Sequence, residues 1–577
     1  MARKSQKDTV NELVIKFKAA HKYVKENYHD VWNDSWKVYN NQRVRVHYEG
    51  DADTFVPETF TIVESLVANI GGGQPKFEFL PVSAIQEQDT EIINSLIGFY
   101  WDQNNMNLKA LQWIRDMIIF GNGVTMVTWD EKDIPRIDNI PLKDFFVDSD
   151  ATSIEDAEER KLLIGHRRLV SKKTLKAATI YDPETDSMVP KYKNINKIQP
   201  LKKAWGKFDK EEKEMFAGST KGEDAPKDMV EVLYMLVDDR VYEIANRDVA
   251  IWDEETPFQR KETTEQVVIT DPQSGLPIEE EVTIPAIAPF YPYTVLRNYA
   301  DASLFYAKGD VEVILPTQEL VNDINNQKQD NITYVLNNMW TIDPQFADMA
   351  PEIESLPGAV YAIPAGALQP IEKPIVTNDA DNEIFQNLDY MRRATAADEI
   401  VQGASQAQGR ITATEVQAQV NQANQRFSTK LNMLESEGYA HLGSIMFKLI
   451  QIFVTQPIAV RLIGPQGTEW GEFNPLEFTG QYEPRVILEA TSRALKAEEG
   501  QKFQQMYQVL LEDPTINQSE LKSILLKKVF NLEQAEIEKL LSVDPAQAEQ
   551  QFQTQQALNG NVESGVPSAP LPIQPVI

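Results

Sequence analysis

The chain has 577 residues, too long for one hydrophobic core, which implies roughly three or four folding units. A content of 42% hydrophobic and 25% charged residues is that of a globular protein. The net charge of −31 excludes a surface that grips nucleic acid broadly, because that needs lysines and arginines to displace counterions from phosphates. It leaves two readings: a surface kept from self-association, or one that sits beside nucleic acid without sticking. With no cysteine, disulfides, thiolate metal sites and cysteine nucleophiles are excluded, which fits assembly in a reducing cytoplasm. The N-terminus lacks the apolar run of a secretory signal. "IMFKLIQIFV" carries Lys448 and is shorter than the roughly 18 apolar residues of a membrane span.

Residues 10 to 28 place Val10, Leu13, Val14, Phe17, Val24 and Tyr28 at helical spacing. Residues 1 to 25 hold seven basic and two acidic side chains, so this basic helix is expected to dock on an acidic neighbour rather than on a membrane or nucleic acid. A second helix carries Trp32, Trp36 and Tyr39, and a third begins near Pro57, where a missing N–H costs little. "GGGQPKFEFLPV" is a break and a short strand, followed over 87 to 120 by two helices joined at "QNNMN". Gly121 and Gly123 end the second of them, and the strand "VTMVTWD" follows. Residues 180 to 300 read as β-rich and loop-rich.

The character changes after "YAKGDVEVILP". Residues 311 to 339 read as a helix with a thin apolar stripe of Leu320, Ile324, Ile332, Val335, Leu336 and Met339; most of the rest is Asn, Gln, Asp and Glu. Helical stability comes mainly from packing an apolar face, so this rod is expected to find its shelter in neighbouring copies of the chain. Residues 340 to 377 are proline-rich, and 378 to 401 are helical again. "IVQGASQAQGRITATEVQAQV" then joins a small-residue loop to a capping box, Thr412 and Glu415, that opens a helix reaching about residue 455, roughly 60 Å at 1.5 Å per residue. Gly438 and Gly443 are its expected bend points. "PIAVRLIG" and "RVILEAT" are expected to return to an earlier sheet. Residues 493 to 556 are helical, and the Pro-, Gly- and Ser-bearing tail from 557 is expected to be disordered.

This order of elements resembles the portal proteins of tailed double-stranded DNA bacteriophages, of the podovirus type. Local phrases agree: "VYNNQRVRVHYEGDADTFVPETFTIVESL", "IIFGNGVTMVTWD" with "PLKDFFVDSDATSIEDAE", and "ITATEVQAQ". Residues 180 to 300 contain no matching phrase. The resemblance implies an α+β fold with a mixed α/β wing (1–310 and the return strands), a two-helix stem (311–339 and 378–401), a small α/β clip (340–377), a tunnel loop (402–412), a long kinked helix with the wing return (413–492), a helical crown (493–556) and a tail (557–577). It implies a homo-oligomeric ring, usually of twelve copies, at the capsid vertex of the virion, assembled in the host cytoplasm. Its implied partners are the major capsid protein, the packaging terminase, the tail adaptor and the DNA passing through, with no membrane and no cofactor. Twelve stem helices about 10 Å apart give an axis-to-axis diameter of roughly 38 Å, and subtracting one helix diameter of about 10 Å leaves about 28 Å, enough for a duplex.

No catalytic constellation accompanies this. There is no phosphate-cradling G-x-x-x-x-G-K-[ST]. "GASQA" lacks the final glycine of a nucleophile elbow and follows no strand. His21, His29, His47, His166 and His441 show no metal-ligand spacing and are expected at the surface or the core edge. Asp148, Asp150, Thr152 and Glu159 take calcium-loop positions, but Ser153 replaces the required glycine. The run Glu279 to Glu281 reads as a solvated hairpin edge. A non-enzymatic role is therefore expected. The residues expected to meet DNA are Ser405, Gln406, Gln408 and Arg410 in the tunnel loop, with Lys328 and Arg393 in the stem; amides and hydroxyls make exchangeable contacts to phosphate oxygens. Phe346, Met349 and Tyr361 in the clip are expected to dock the adaptor. The competing reading is a low-order scaffold that binds a partner through its polar helices, although the stripes are too sparse for sustained heptads.

Overall fold

The computed structural model describes residues 6–45, 51–71, 75–82, 90–130, 134–182, 187–199, 201, 228–270, 277–337, 339–352, 364–371, 374, 377–397, 429–464, 467–476, 478–480 and 482–488. The chain divides into Met1–Glu489 and Ala490–Ile577, so the crown and tail expected from 493 onward lie outside the described residues. The fold is mixed α and β, with several small antiparallel sheets.

The amphipathic stripe at the N-terminus forms the helix Gln6–Asn27, which buries Val10, Leu13, Val14, Phe17, Ala20 and Val24. Its apolar face lies on Phe146, Leu233, Met235, Ile244 and Ala250 of a five-stranded sheet. The expected docking on an acidic neighbour is therefore corrected. Burying several large apolar side chains, each contributing about 1.5–3 kcal/mol, outweighs exposed ion pairs of about 0–1 kcal/mol, and Lys18 and Lys22 remain exposed.

That sheet runs Val249–Glu255, Arg240–Ala245, Met229–Val237, Ile164–Ser171 and Phe145–Val147 in spatial order. Its central strand is buried on both faces, which the period of two makes visible. Leu233, Met235 and Val237 meet the N-terminal helix. Val230 and Val232 meet a second cluster with Leu175, Tyr192, Ile198 and Ile251. His166 lies here, buried, with Nδ1 2.7 Å from the hydroxyl of Tyr293. Burial pushes its pKa down to about 3, so it is a neutral core residue, correcting the expectation of a surface or core-edge histidine. A solitary histidine carries no periodic signal from which burial could be read.

A three-stranded sheet, Tyr293–Arg297, Asn122–Trp129 and Pro135–Ile140, packs against the helix Met106–Phe120. That helix ends at Gly121, whose φ of 91° and close approach to the chain at Ala307, 2.0 Å from a notional Cβ to its carbonyl oxygen, admit no side chain. The strand Lys76–Pro81 pairs antiparallel with Tyr482–Ile487, the expected return. The other expected return strand, Ile458–Gly464, pairs instead with Gly467–Phe473. Two residues separate them, and closing so short a loop costs far less entropy than reaching back across the chain. Ser153, at the calcium-like stretch, caps the helix Ile154–Glu159 by accepting from the Asp156 N–H at 3.1 Å. No cluster of His, Asp or Glu among the described residues is arranged to hold a metal.

Of the long helix expected over 413–455, residues 429–453 are described, and they contain a π-helical turn at Leu434–Ala440. The Gly438 expected as a bend point sits in that turn, where a Cβ would meet Leu296 at 2.5 Å. The glycine therefore serves close packing as well as backbone freedom.

Asp116, on the helix Met106–Phe120, has its pKa pushed up to about 7 by burial, and the charge of neighbouring Arg115 offsets this only in part. A raised carboxyl binds its proton more tightly in the folded state, so its penalty begins above the unfolded pKa near 3.8 and is complete above about pH 7. Asp116→Asn is expected to raise the melting temperature at pH 8, with the difference vanishing near pH 4. A difference that does not vary with pH would contradict the assignment.

Candidate functional site

The polar helix expected over 311–339 is Asp310–Leu336, and its partner is Thr377–Thr395. The two pack together as a helical hairpin. Its root is a lock between distant segments. Gly309 precedes the first helix, and a Cβ there would lie 2.5 Å from the Ile119 carbonyl oxygen. Asn122 Oδ1 accepts from the Ala307 N–H at 2.8 Å. Asp310, fully buried, accepts from Asn298 Nδ2 at 2.8 Å and from the Tyr299 hydroxyl at 2.8 Å. Lys430 Nζ donates to both Asp310 oxygens at 2.6 and 2.7 Å. Lys430 lies at the start of the described helical segment 429–453, so this pair ties the helix Asp310–Leu336 to that segment.

Above the root, the buried amide side chains Gln318, Asn322 and Asn326 are not left for neighbouring copies, as the sequence reading expects. They are bonded within the chain to residues 54–59. Gln318 Oε1 accepts from Thr59 N at 3.0 Å and from its hydroxyl at 2.9 Å, while Nε2 donates to the Val56 carbonyl at 2.8 Å. Asn322 Oδ1 accepts from Val56 N at 3.0 Å. Asn326 accepts from Thr54 N at 2.8 Å and donates to the Thr54 carbonyl at 3.1 Å. Asp330 accepts from Ala52 N at 2.8 Å. The geometry explains the match. Every fourth residue of a helix advances about 6.0 Å, and every second residue of an extended chain advances about 6.6 Å. Positions 322, 326 and 330 therefore keep step with 56, 54 and 52. Beside this ladder, Glu319 accepts from Arg45 N at 3.2 Å, and Asp323 pairs with Arg43 at 2.5 Å and with Arg45.

The strap also completes a helix start. The helix Glu58–Ile70 has Pro57 at its N-cap, which provides no side-chain acceptor, and Gln318 takes the Thr59 N–H that a capping side chain would otherwise satisfy. Arg392 of the second stem helix reaches Glu58 at 2.7 Å.

Of the stem residues expected to meet DNA, Lys328 is mostly buried and pairs with Asp381 at 2.5 Å, joining the two helices. Arg393 is 68% exposed and pairs with Asp389 at 2.8 Å along its own helix. Ser405, Gln406, Gln408 and Arg410 lie outside the described residues. Between the two helices, Trp340–Ile342 pairs with Leu368–Pro370, closing the excursion at its base, and a 3-10 helix spans Pro344–Glu352. Phe346 is half-buried; the Met349 side chain and Tyr361 lie outside what is described. Large apolar side chains stay exposed on the stem and clip, among them Leu320, Tyr334, Leu336, Trp340, Phe385 and Tyr390.

Sequence reasoning missed Asp310, Lys430 and the 43–59 strap. The four-residue spacing of Gln318, Asn322, Asn326 and Asp330 was a usable signal, because it marks one continuous polar side of a helix.

The buried carboxylates of this region, Glu58, Asp310 and Glu319, each accept hydrogen bonds from another element, so buried charge here ties the helical hairpin to the segments around it. A family model described as "Phage SU10 portal protein" matches residues 131–561, most of the chain. The chain belongs to this family of phage portal proteins. No curated protein matches it. The matched stretch includes the helices Asp310–Leu336 and Thr377–Thr395, while the segment 51–59 that bonds to the first of them precedes it.

Two consequences can be measured. Gln318→Ala leaves the Thr59 N–H and the Val56 carbonyl unpaired and is expected to cost about 1–3 kcal/mol, against less than about 0.5 kcal/mol for an exposed substitution such as Ser436→Ala, read as shifts in chemical denaturation. Lys430→Ala strands Asp310 and is expected to cost about 3–5 kcal/mol. Replacing the pair together, with Asp310→Leu and Lys430→Met, is expected to cost clearly less.

Proposed function

We propose that the chain assembles as a ring at the unique capsid vertex, through which double-stranded DNA is packaged and later ejected. The ring would dock first the packaging terminase and then the tail adaptor. The observation that supports this most directly is the division of labour on the stem hairpin. One side is consumed by the strap, Asp310–Lys430 and Arg392–Glu58, while Leu336 and Phe385 stand 77% and 68% exposed. In the ring, contact with a neighbouring copy would cover such exposed apolar side chains. Twelve copies at about 10 Å spacing would leave a bore of about 28 Å.

In this reading the acidic body limits tight binding of passing DNA, and local contacts come from Ser405, Gln406, Gln408 and Arg410, with Arg393 as a stem contact. Lys328 would reach phosphate only by leaving Asp381, so its main part is to hold the hairpin closed. The clip, with Phe346, Met349 and Tyr361, would present the adaptor-docking surface.

Native mass spectrometry of the full chain, with axial views of the particle, tests the assembly. A discrete species near twelve protomers with a central aperture is expected, and a monomer or dimer without one would replace the ring with a scaffold reading. For the loop, Arg410→Ala combined with Gln406→Ala and Gln408→Ala is expected to leave ring mass unchanged and to lower DNA retention. Unchanged retention would remove the loop from the mechanism.

A further inference from the structure

Two strands, Thr263–Thr270 and Pro277–Ile284, pair with each other along eight residues and with no other described strand. No other described element packs on them beyond marginal contact. The ribbon is about 27 Å long at roughly 3.4 Å per residue, and a lone two-stranded ribbon is marginal in water. Between Glu262 and Ile284 the sequence has six acidic residues, three of them Glu279, Glu280 and Glu281, and no lysine or arginine. The register pairs position 280 with 267 and positions 279 and 281 with 268 and 266, so the acidic run is spread over both faces of the ribbon.

A surface of opposite character lies elsewhere on the same chain. The helix Lys172–Ala177 and the 3-10 turn Ile195–Lys197 pack together over the cluster that holds Leu175, Tyr192 and Ile198. Several lysines here are engaged: Lys172 donates to the Ile198 carbonyl, and Lys193 pairs with Glu254 at 3.0 Å. Lys173, Lys176 and Lys197 are exposed and form no ion pair with the described residues. Beside them, the hairpin of Thr179–Asp182 with Ser187–Pro190 carries Ile180 and Met188, 42% and 57% exposed. Three exposed cations without an ion pair among the described residues, on a chain of net charge −31, make a surface complementary in charge to the acidic ribbon.

We propose that the ribbon of one copy docks on the Lys173, Lys176, Lys197, Ile180 and Met188 patch of the next copy. The occupant is a second copy because donor and acceptor are oppositely charged surfaces of one chain that, among the described elements, make no more than marginal contact with each other. That is a head-to-tail contact, which closes into a ring or propagates. The inference rests on the ring reading above and gives it a direction: each subunit extends an arm to one neighbour and receives one from the other.

Charge reversal in trans tests it. One variant carries Glu279→Lys, Glu280→Lys and Glu281→Lys; the other carries Lys173→Glu, Lys176→Glu and Lys197→Glu. Each alone places like charges together and is expected to reduce the ring fraction in native mass spectrometry roughly tenfold or more. Co-expression lets the two alternate, with every arm meeting a patch of opposite sign, and is expected to restore rings of mixed composition. Wild-type rings with either single variant assembling normally would overturn the arm contact while leaving the ring intact. So would variants that fail separately and are not restored by co-expression, which would place the arm on its own chain or on a different partner. Absence of rings from the wild-type chain itself would instead remove the reading beneath it.

Discussion

The stem stands where it does because a helix and an extended chain happen to advance at nearly the same rate when counted in fours and twos. Asn322, Asn326 and Asp330 meet Val56, Thr54 and Ala52 in sequence, and Gln318 completes the series at Thr59. An extended segment has unpaired backbone donors, and a helix of amides has side chains that are costly to bury alone. Each supplies what the other lacks. The result is a rod fixed to its body by polar contacts whose loss is felt at specific atoms, unlike an apolar seam that could slide.

The root works on a different principle. Asp310 is buried among Asn298, Tyr299 and Lys430, and an ion pair taken out of water is retained only when its remaining hydrogen-bonding capacity is met. Close approaches at Gly121 and Gly309 bring the chain near Ala307 against the end of the helix Met106–Phe120. The stem is therefore anchored at its base by charge and along its length by amides, while the π-helical turn at Leu434–Ala440 lies in the segment that leads away from Lys430.

The acidic character of the chain is unevenly spread, and the distribution matters more than the total. Acidic residues gather on a ribbon that makes no more than marginal contact with the other described elements, and cations gather over the Leu175, Tyr192 and Ile198 cluster. Net charge alone bears on solubility and non-specific binding; the local asymmetry bears on how copies orient relative to one another.

From the sequence alone, local period and capping located the stem helix within a few residues, 311–339 against Asp310–Leu336, and the helix end at Gly121 with the strand behind it. Both are written in residues that are neighbours along the chain. The tertiary structure decided what lay opposite them. Thr54 and Asn326 are 272 positions apart, as the hydrogen bond that joins them shows, and an amide's spacing says only which side of a helix it occupies. The same limit explains His166, whose burial depends on Tyr293 from a different sheet. It also explains Ile458–Gly464, whose strand character was legible but whose partner proved to be the strand two residues further along the chain. Sequence determined the elements because helix and strand periods are local; tertiary structure chose their partners because burial and hydrogen bonding are satisfied wherever the folded chain brings matching groups together.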